Sequence, residues 1–222
     1  MATVLLLRHG RTTANATGEL AGRRPVDLDD TGRAQAVRAG ERLRQLPLSA
    51  VVSSPLPRCR RTVELALPEA QIIEDDGLIE CGYGDWEGQE LKTLAKDPLW
   101  PVVQAHPSAV VFPNGEAMAE MSARAIATVR RWDAKISAEH GPGALWLACT
   151  HGDVIKAILA DALGLHLDQF QRIVADPASV SVISYTPTRP FVVRMNDTAD
   201  LASLVPPKES DAAVGGGAGH TA

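Results

Sequence analysis

Cysteine is scarce in this sequence, with 3 in 222 residues at Cys59, Cys81 and Cys149 and no CxxC spacing among them. An odd number so widely spread builds neither a disulfide framework nor a zinc cluster, and it suits a reducing compartment. Long apolar runs are missing as well. The run at residues 4–7 is stopped by Arg8, too early for a secretory core or a membrane span, so the expectation is a cytoplasmic protein with no membrane partner. Nor is there an excess of positive charge: 22 Lys and Arg against 27 Asp and Glu leave a net −5, the wrong sign for a chain that neutralises a nucleic-acid backbone. Any anion site must be local. Hydrophobic residues are plentiful at 45%, enough to fill the core of one domain.

Residues 2–7 have the β-rich pattern of a strand buried on both faces, and Arg8-His9-Gly10 stands where that strand gives way to a loop. Over residues 31–46, Ala36, Val37, Gly40, Leu43 and Leu46 fall on one helical face, with Asp30 or Thr31 placed to cap it. Leu48–Ser53 reads as a second strand, after which Pro55 and Pro57 open a helix carrying Arg58, Thr62 and Val63. Residues 81–115 differ: glycines and prolines punctuate them and Trp86, Trp100 and Phe112 are interleaved, which reads as a partly helical lid insertion. Met118, Met121, Ala125, Val129, Trp132 and Ile136 then recur at helical spacing, a stripe best explained by core packing. Residues 144–150 form a third buried strand, closed by His151-Gly152 and followed by another helix. Two β-branched runs at 179–185 and 191–195 suggest a hairpin at a sheet edge, where the intervening prolines are tolerated. The expectation is one domain over residues 1–204, a three-layer αβα sandwich with a largely parallel central sheet, and a disordered tail at 205–222.

In such a fold ligands gather beyond the carboxyl ends of the strands, where Arg8, His9, Arg58 and His151 fall. A lone Arg-His-Gly carries little weight. The ordered set carries more: Arg8-His9-Gly10-Arg11-Thr12, then Asn15, Arg58 in Ser53-Ser54-Pro55-Leu56-Pro57-Arg58, Glu80 ahead of Gly82-Tyr83-Gly84-Asp85-Trp86-Glu87-Gly88, and Thr150-His151-Gly152. A phosphoryl group in transfer spreads negative charge over its equatorial oxygens and needs fixed cations, donors and one in-line nucleophile. Arg8 and Arg58 supply planar forks and Asn15 a neutral amide donor. Guanidinium neighbours disfavour a charged imidazole, which leaves His9 poised to attack. One carboxyl can protonate the leaving alkoxide and later deprotonate water, and Glu80 is the candidate.

Over residues 3–185 this set resembles the histidine phosphatase superfamily, also called the phosphoglycerate-mutase-like family. The resemblance implies that family's fold, with His9 as the residue that is phosphorylated, Glu80 as proton donor and His151 as the second imidazole, which steadies the transferring group. It places Arg8, Asn15, Gly22, Arg58, His151 and Gly152 around the phosphate. It implies no metal and no cofactor. The expected partner is a small phosphorylated substrate, and a homodimer is compatible with the sequence.

The sequence also contains features of rival phosphatase classes. Asp27-Leu28-Asp29-Asp30-Thr31 matches the DxDxT of magnesium-dependent phosphatases but lacks a hydrophobic strand before it, so helix capping explains it better. Six residues beyond each cysteine stand Leu65, Glu87 and Ile155, which excludes a cysteine phosphatase needing Arg there. A catalytically silent binding module would not need His9, Arg8, Arg58, Glu80 and His151 intact. A phosphoglycerate mutase would need extra basic residues at the lid, where only Lys92 and Lys96 occur. Arg23 and Arg24 are more simply a solvated pair than contacts to a second anionic group, Asp85 and Glu87 are most simply solvated loop charges, with Glu87 otherwise a structural cap or lid residue, and Asp153 is placed outside the catalytic set. His106, His140, His166 and His220 read as solvent-facing. Two departures from the family pattern, Ala21 and the Ala117 of Pro113-Asn114-Gly115-Glu116-Ala117, bear on substrate contacts.

Overall fold

The computed structural model of the chain describes residues 1–199. The tail at 205–222 and His220 lie outside them. In chain order the strands are β1 (Thr3–Arg8), β2 (Leu48–Ser53), β3 (Ile72–Glu74), β4 (Leu145–Thr150), β5 (Val180–Ser184) and β6 (Phe191–Asp197), arranged in one sheet as β3-β2-β4-β1-β5-β6. The helices are α1 (Thr13–Thr17), α2 (Asp30–Leu43), α3 (Pro57–Ala66), α4 (Leu91–Leu94), α5 (Trp100–Ala105), α6 (Met118–His140) and α7 (Gly152–Ala162). Strands β3, β2, β4 and β1 run parallel, and β5 and β6 add an antiparallel hairpin at one edge.

Strand alternation divides the interior into two layers. Val4 and Leu6 of β1, with Trp146 and Ala148 of β4, face a core filled by Met121, Ala125 and Val129 of α6 and Ile155 and Ile158 of α7. Leu5 and Leu7, with Leu147 and Cys149, face Ala39 and Leu43 of α2 and Cys59, Val63 and Ala66 of α3. The chain leaving β1 thus reaches a helix on one face of the sheet and the chain leaving β4 a helix on the other. Because β1 and β4 are neighbours in register, with Arg8 beside Thr150, a crevice opens between their carboxyl ends.

The helix expected from residue 31 starts at Asp30, and its cap is Asp29, not Asp30 or Thr31. The Asp29 carboxylate accepts from Gly32 N at 2.7 Å while its own backbone stays extended. The buried face of α2 is Gly32, Ala36, Ala39, Gly40 and Leu43, and Val37 (42% exposed) and Leu46 (38%) point to water. Small residues face inward there because α2 lies close against α3. Strand β3 has no sequence signature, being three half-buried or exposed residues at the sheet edge. Residues 81–115 are seated in the main core: Tyr83, Trp86, Leu94, Val103, Val110 and Phe112 are buried with Met118 and Met121. Trp86 and Tyr83 meet Phe112 edge-on. Among the described residues no helix is long and apolar enough to cross a membrane.

Candidate active site

His9 is the first residue after β1, held by its own N–H to Thr150 O at 3.0 Å. The next residue, Gly10, donates to Thr62 Oγ1 at 2.9 Å, and Thr62 donates to Arg58 O at 2.7 Å, so the turn at His9 is tied to the helix that carries Arg58. Gly10 has no room for a side chain, since a Cβ would collide with the backbone of Gly32. The His9 Nδ1 lies 2.8 Å from Gly10 O. A carbonyl only accepts, so Nδ1 carries the hydrogen and Nε2 keeps its lone pair.

Arg58 enters on the first turn of α3, behind Pro57, and is buried. Its Nη2 donates to Gly22 O at 2.7 Å, its Nη1 to Arg24 O at 3.1 Å and its Nε to His151 Nδ1 at 3.2 Å. That last bond makes His151 Nδ1 an acceptor, so the ring's hydrogen sits on Nε2, which donates to Ser54 Oγ at 2.8 Å. The two imidazoles stand with centroids 5.3 Å apart and planes inclined by 59°. Burial, reinforced by Arg58 and Arg8, holds the pKa of His9 well below 6.5, and burial followed by Arg58 does the same for His151. Both rings are neutral near pH 7.

Arg8 ends β1, is buried, and donates from Nη1 to Ala175 O at 2.7 Å. The carboxylates of Glu80, Asp176 and Asp153 lie within its field and oppose the lowering of its pKa that burial causes. Glu80 is 3% exposed and accepts from Cys81 N at 3.0 Å. Burial, aided by the Asp153 charge and opposed by Arg58, pushes its pKa up to about 7.

A cleft open to solvent lies here, and His9, Asn15, Gly22, Arg58 and Glu80 line it together with Tyr83. Arg8, His151 and Gly152 are not among the lining residues: Arg8 and His151 are fully buried, His151 against His9 and Arg58, and Gly152 begins α7. Asn15 also closes the capping box of α1: its Oδ1 accepts from Thr12 N at 3.0 Å, which leaves Nδ2 as the amide donor available to an anion. Gly22 adopts φ 54°, a left-handed conformation, and a Cβ there would strike the Glu87 carboxyl. Glu87 accepts from Arg23 N and Tyr83 N, both at 3.1 Å, and is a structural cap.

Other expectations resolve on contacts. Asp29 caps α2 and pairs with Arg11 at 2.7 Å, and Asp27 pairs with Arg33 at 2.8 Å, so the DxDxT carboxylates are committed to local structure. Arg23 is not simply solvated. Its Nε donates to Glu80 O at 3.1 Å and its Nη2 to Glu116 Oε2 at 2.9 Å. Ala117 is not among the residues that line the cleft: it is the N-cap of α6, where Glu120 reaches back to its N–H at 3.2 Å but no hydroxyl answers. Ala21 does line the cleft. His106, His140 and His166 are exposed as expected.

Sequence reasoning missed the brace behind Glu80. Arg124 of α6 donates to the carbonyls of Gly77, Ile79 and Glu80 at 3.1, 2.7 and 3.0 Å, and to both oxygens of Glu116, which itself accepts from Gly82 N. These partners lie as far as 47 residues from Arg124, and no local pattern announces them.

Residues 4–198 match the family model of the histidine phosphatase superfamily, branch 1. The acid phosphatase of Mycobacterium tuberculosis is 32% identical over 185 residues, 82% of this chain and 86% of its own. The 2,3-bisphosphoglycerate-dependent phosphoglycerate mutase 2 of Gloeobacter violaceus is 31% identical over 180 residues, 78% of this chain and 81% of its own. Among solved structures, YhfR of Bacillus stearothermophilus superposes with a TM-score of 0.80 at 28% identity, covering 89% of this chain and 98% of that one. The chain belongs to branch 1 of the histidine phosphatase superfamily, and its general activity is that of a phosphatase.

Proposed function

We propose that the protein is a metal-independent phosphomonoester hydrolase that works through a phosphohistidine at His9 on a small phosphorylated metabolite. The observation that carries this reading is the state of His9: a buried, neutral ring whose Nδ1 hydrogen is spent on Gly10 O, so that Nε2 faces the cleft chemistry with its lone pair. His9 Nε2 attacks phosphorus and forms the N–P bond as the ester P–O bond breaks. Glu80, protonated with a pKa of about 7, gives its proton to the leaving oxygen. Water then attacks the phosphohistidine, Glu80 takes the water proton, and inorganic phosphate leaves with His9 restored. Arg58, Arg8 and Asn15 offset the charge on the equatorial oxygens, and His151 acts by orienting Arg58 through Nδ1.

Hydrolysis is favoured over mutase chemistry by the rim. A mutase substrate brings a second anionic group, yet Arg23 is paired with Glu116 and Arg24 with Glu19, while Lys92 is paired with Glu90. The three buried cysteines are free thiols, which supports a reducing, cytoplasmic setting.

The test is release of phosphate from an aryl phosphate with and without chelator. Wild-type turnover should survive chelation, and His9→Ala should lose at least about 10⁴-fold. A rapid quench should trap an acid-labile, base-stable phosphoprotein in the wild type alone. Turnover abolished by chelator, or retained in His9→Ala, would refute the reading, and dominant interconversion of 3-phosphoglycerate over phosphate release would make it a mutase.

A further inference from the structure

Ser54, the first residue after β2, is fully buried, and the phosphoryl chemistry described above gives its hydroxyl no part. Its N–H donates to Cys149 O at 2.9 Å, which seats it beside the end of β4, two residues ahead of His151. Its Oγ accepts from the Leu56 N–H at 3.4 Å and from His151 Nε2 at 2.8 Å. The Leu56 contact is a long bond of a local turn, which does little to offset the burial of a hydroxyl. The His151 contact is short and joins residues 97 apart in the chain. Cys59 Sγ also lies against that ring, 3.8 Å from Nδ1 and 3.5 Å from Nε2, but sulfur is a weak acceptor and its thiol is turned to Thr150 O at 3.6 Å.

An imidazole has three forms, and the contacts of His151 admit one. Arg58 Nε can only donate, and it lies 3.2 Å from His151 Nδ1. An imidazolium has no nitrogen to receive it, and the tautomer with its hydrogen on Nδ1 would set two N–H groups against each other. The form that remains carries its hydrogen on Nε2, where a buried donor without an acceptor is costly. Resting on the reading of His151 as the ring that orients Arg58, we propose that Ser54 is a positioning residue for phosphoryl transfer: by accepting the Nε2 hydrogen it holds the ring in the tautomer and orientation that receive Arg58 Nε, and so fixes the guanidinium. Arg58 Nη1 and Nη2 each spend one hydrogen on Arg24 O and Gly22 O, which leaves one on each for a phosphoryl oxygen. A guanidinium that is free to turn still attracts an anion by its charge. Donors aimed in advance matter most where charge develops, so Ser54 acts on the transition state more than on bound phosphate.

The experiment is a double-mutant cycle of Ser54→Ala and His151→Ala, read by calorimetric affinity for orthovanadate, which takes up the five-coordinate geometry of phosphoryl transfer, beside inorganic phosphate. Ser54→Ala should weaken vanadate about 10-fold and phosphate by less, with a fall in kcat for an aryl phosphate that follows vanadate. In the His151→Ala background the same substitution should change vanadate affinity by less than about twofold, because the ring through which the hydroxyl acts is gone. A hydroxyl that merely stabilised the fold would cost the same in both backgrounds. In the wild type, ring 1H–15N correlations should place the His151 hydrogen on Nε2, a measurement that needs no variant to fold. Equal losses in both backgrounds, a Ser54→Ala protein with wild-type vanadate affinity, or a wild-type ring with its hydrogen on Nδ1 would overturn this inference and leave the phosphohistidine reading intact. Turnover retained in His9→Ala would sink that reading, and it is measured apart from the cycle.

Discussion

The cleft has two sides that share one environment and respond to it in opposite ways. At the strand ends, beside Arg8 and Arg58, burial among guanidinium groups drives His9 and His151 down, away from their charged forms. On the loop and α7 side, burial beside Asp153 drives Glu80 up, also away from its charged form. Removal from water penalises whichever form is charged, so a single act of desolvation leaves the base without its proton and the acid with one. The nucleophile and the proton donor are therefore in their working states at the same pH. Neither would be so in water, where a histidine is part-protonated and a glutamate ionised near neutrality.

The sharpest way to break this pairing is Glu80→Gln, which keeps the volume and removes the proton. Turnover of an alkyl phosphate should fall by about 10²–10⁴-fold, with a smaller loss for an aryl phosphate that leaves unaided. Equal losses on the two esters would place Glu80 outside proton transfer. The pH profile sharpens the comparison next. Activity toward the alkyl ester should decline as pH rises through about 7, where Glu80 ionises, and should persist below 6.5, because both imidazoles stay neutral there. A limb that falls on acidification through 6.5 would contradict the depressed His9.

The same shifts act on stability. Glu80 binds its proton more tightly folded than unfolded, so its contribution is present below about pH 4.5 and is lost as pH rises through about 7. Glu80→Gln escapes that loss, and its thermal stability relative to wild type should improve between pH 5 and pH 8, by up to about 3 kcal/mol. The histidines run the other way: their depressed folded pKa values stabilise above 6.5 and cost stability as the solution is acidified below it. The smallest effect tests a site away from the cleft. Supplying the missing hydroxyl with Ala117→Ser should stabilise α6 by about 1 kcal/mol without altering kcat/KM, as followed by urea unfolding. A change in substrate selectivity instead would return position 117 to the substrate-binding surface.

Much of this was legible in the sequence, and the reasons are local. His9, Arg58 and His151 each occupy a strand end or helix start, where the change of hydrophobic period marks the boundary, and Glu80 precedes a glycine-rich run that cannot continue a helix. The Asp29 cap was displaced by one or two residues because three consecutive candidates, Asp29, Asp30 and Thr31, satisfy the same local rule, and only the extended backbone at Asp29 selects among them. Val37 failed as a core residue because the inward face of α2 is set by its distance from α3, which hydrophobicity does not encode.

What the chain determined by itself was the alternation of strand and helix and the residue types delivered to each turn, since both follow from periodicity and from backbone preferences that act over a few residues. What only the tertiary structure decided was the ionisation of those residues. Asp153, Arg58 and Arg8 act on Glu80 from distant parts of the chain, and an electrostatic shift depends on distance and on exclusion of water, neither of which exists until the sheet and its two helix layers have closed around the site.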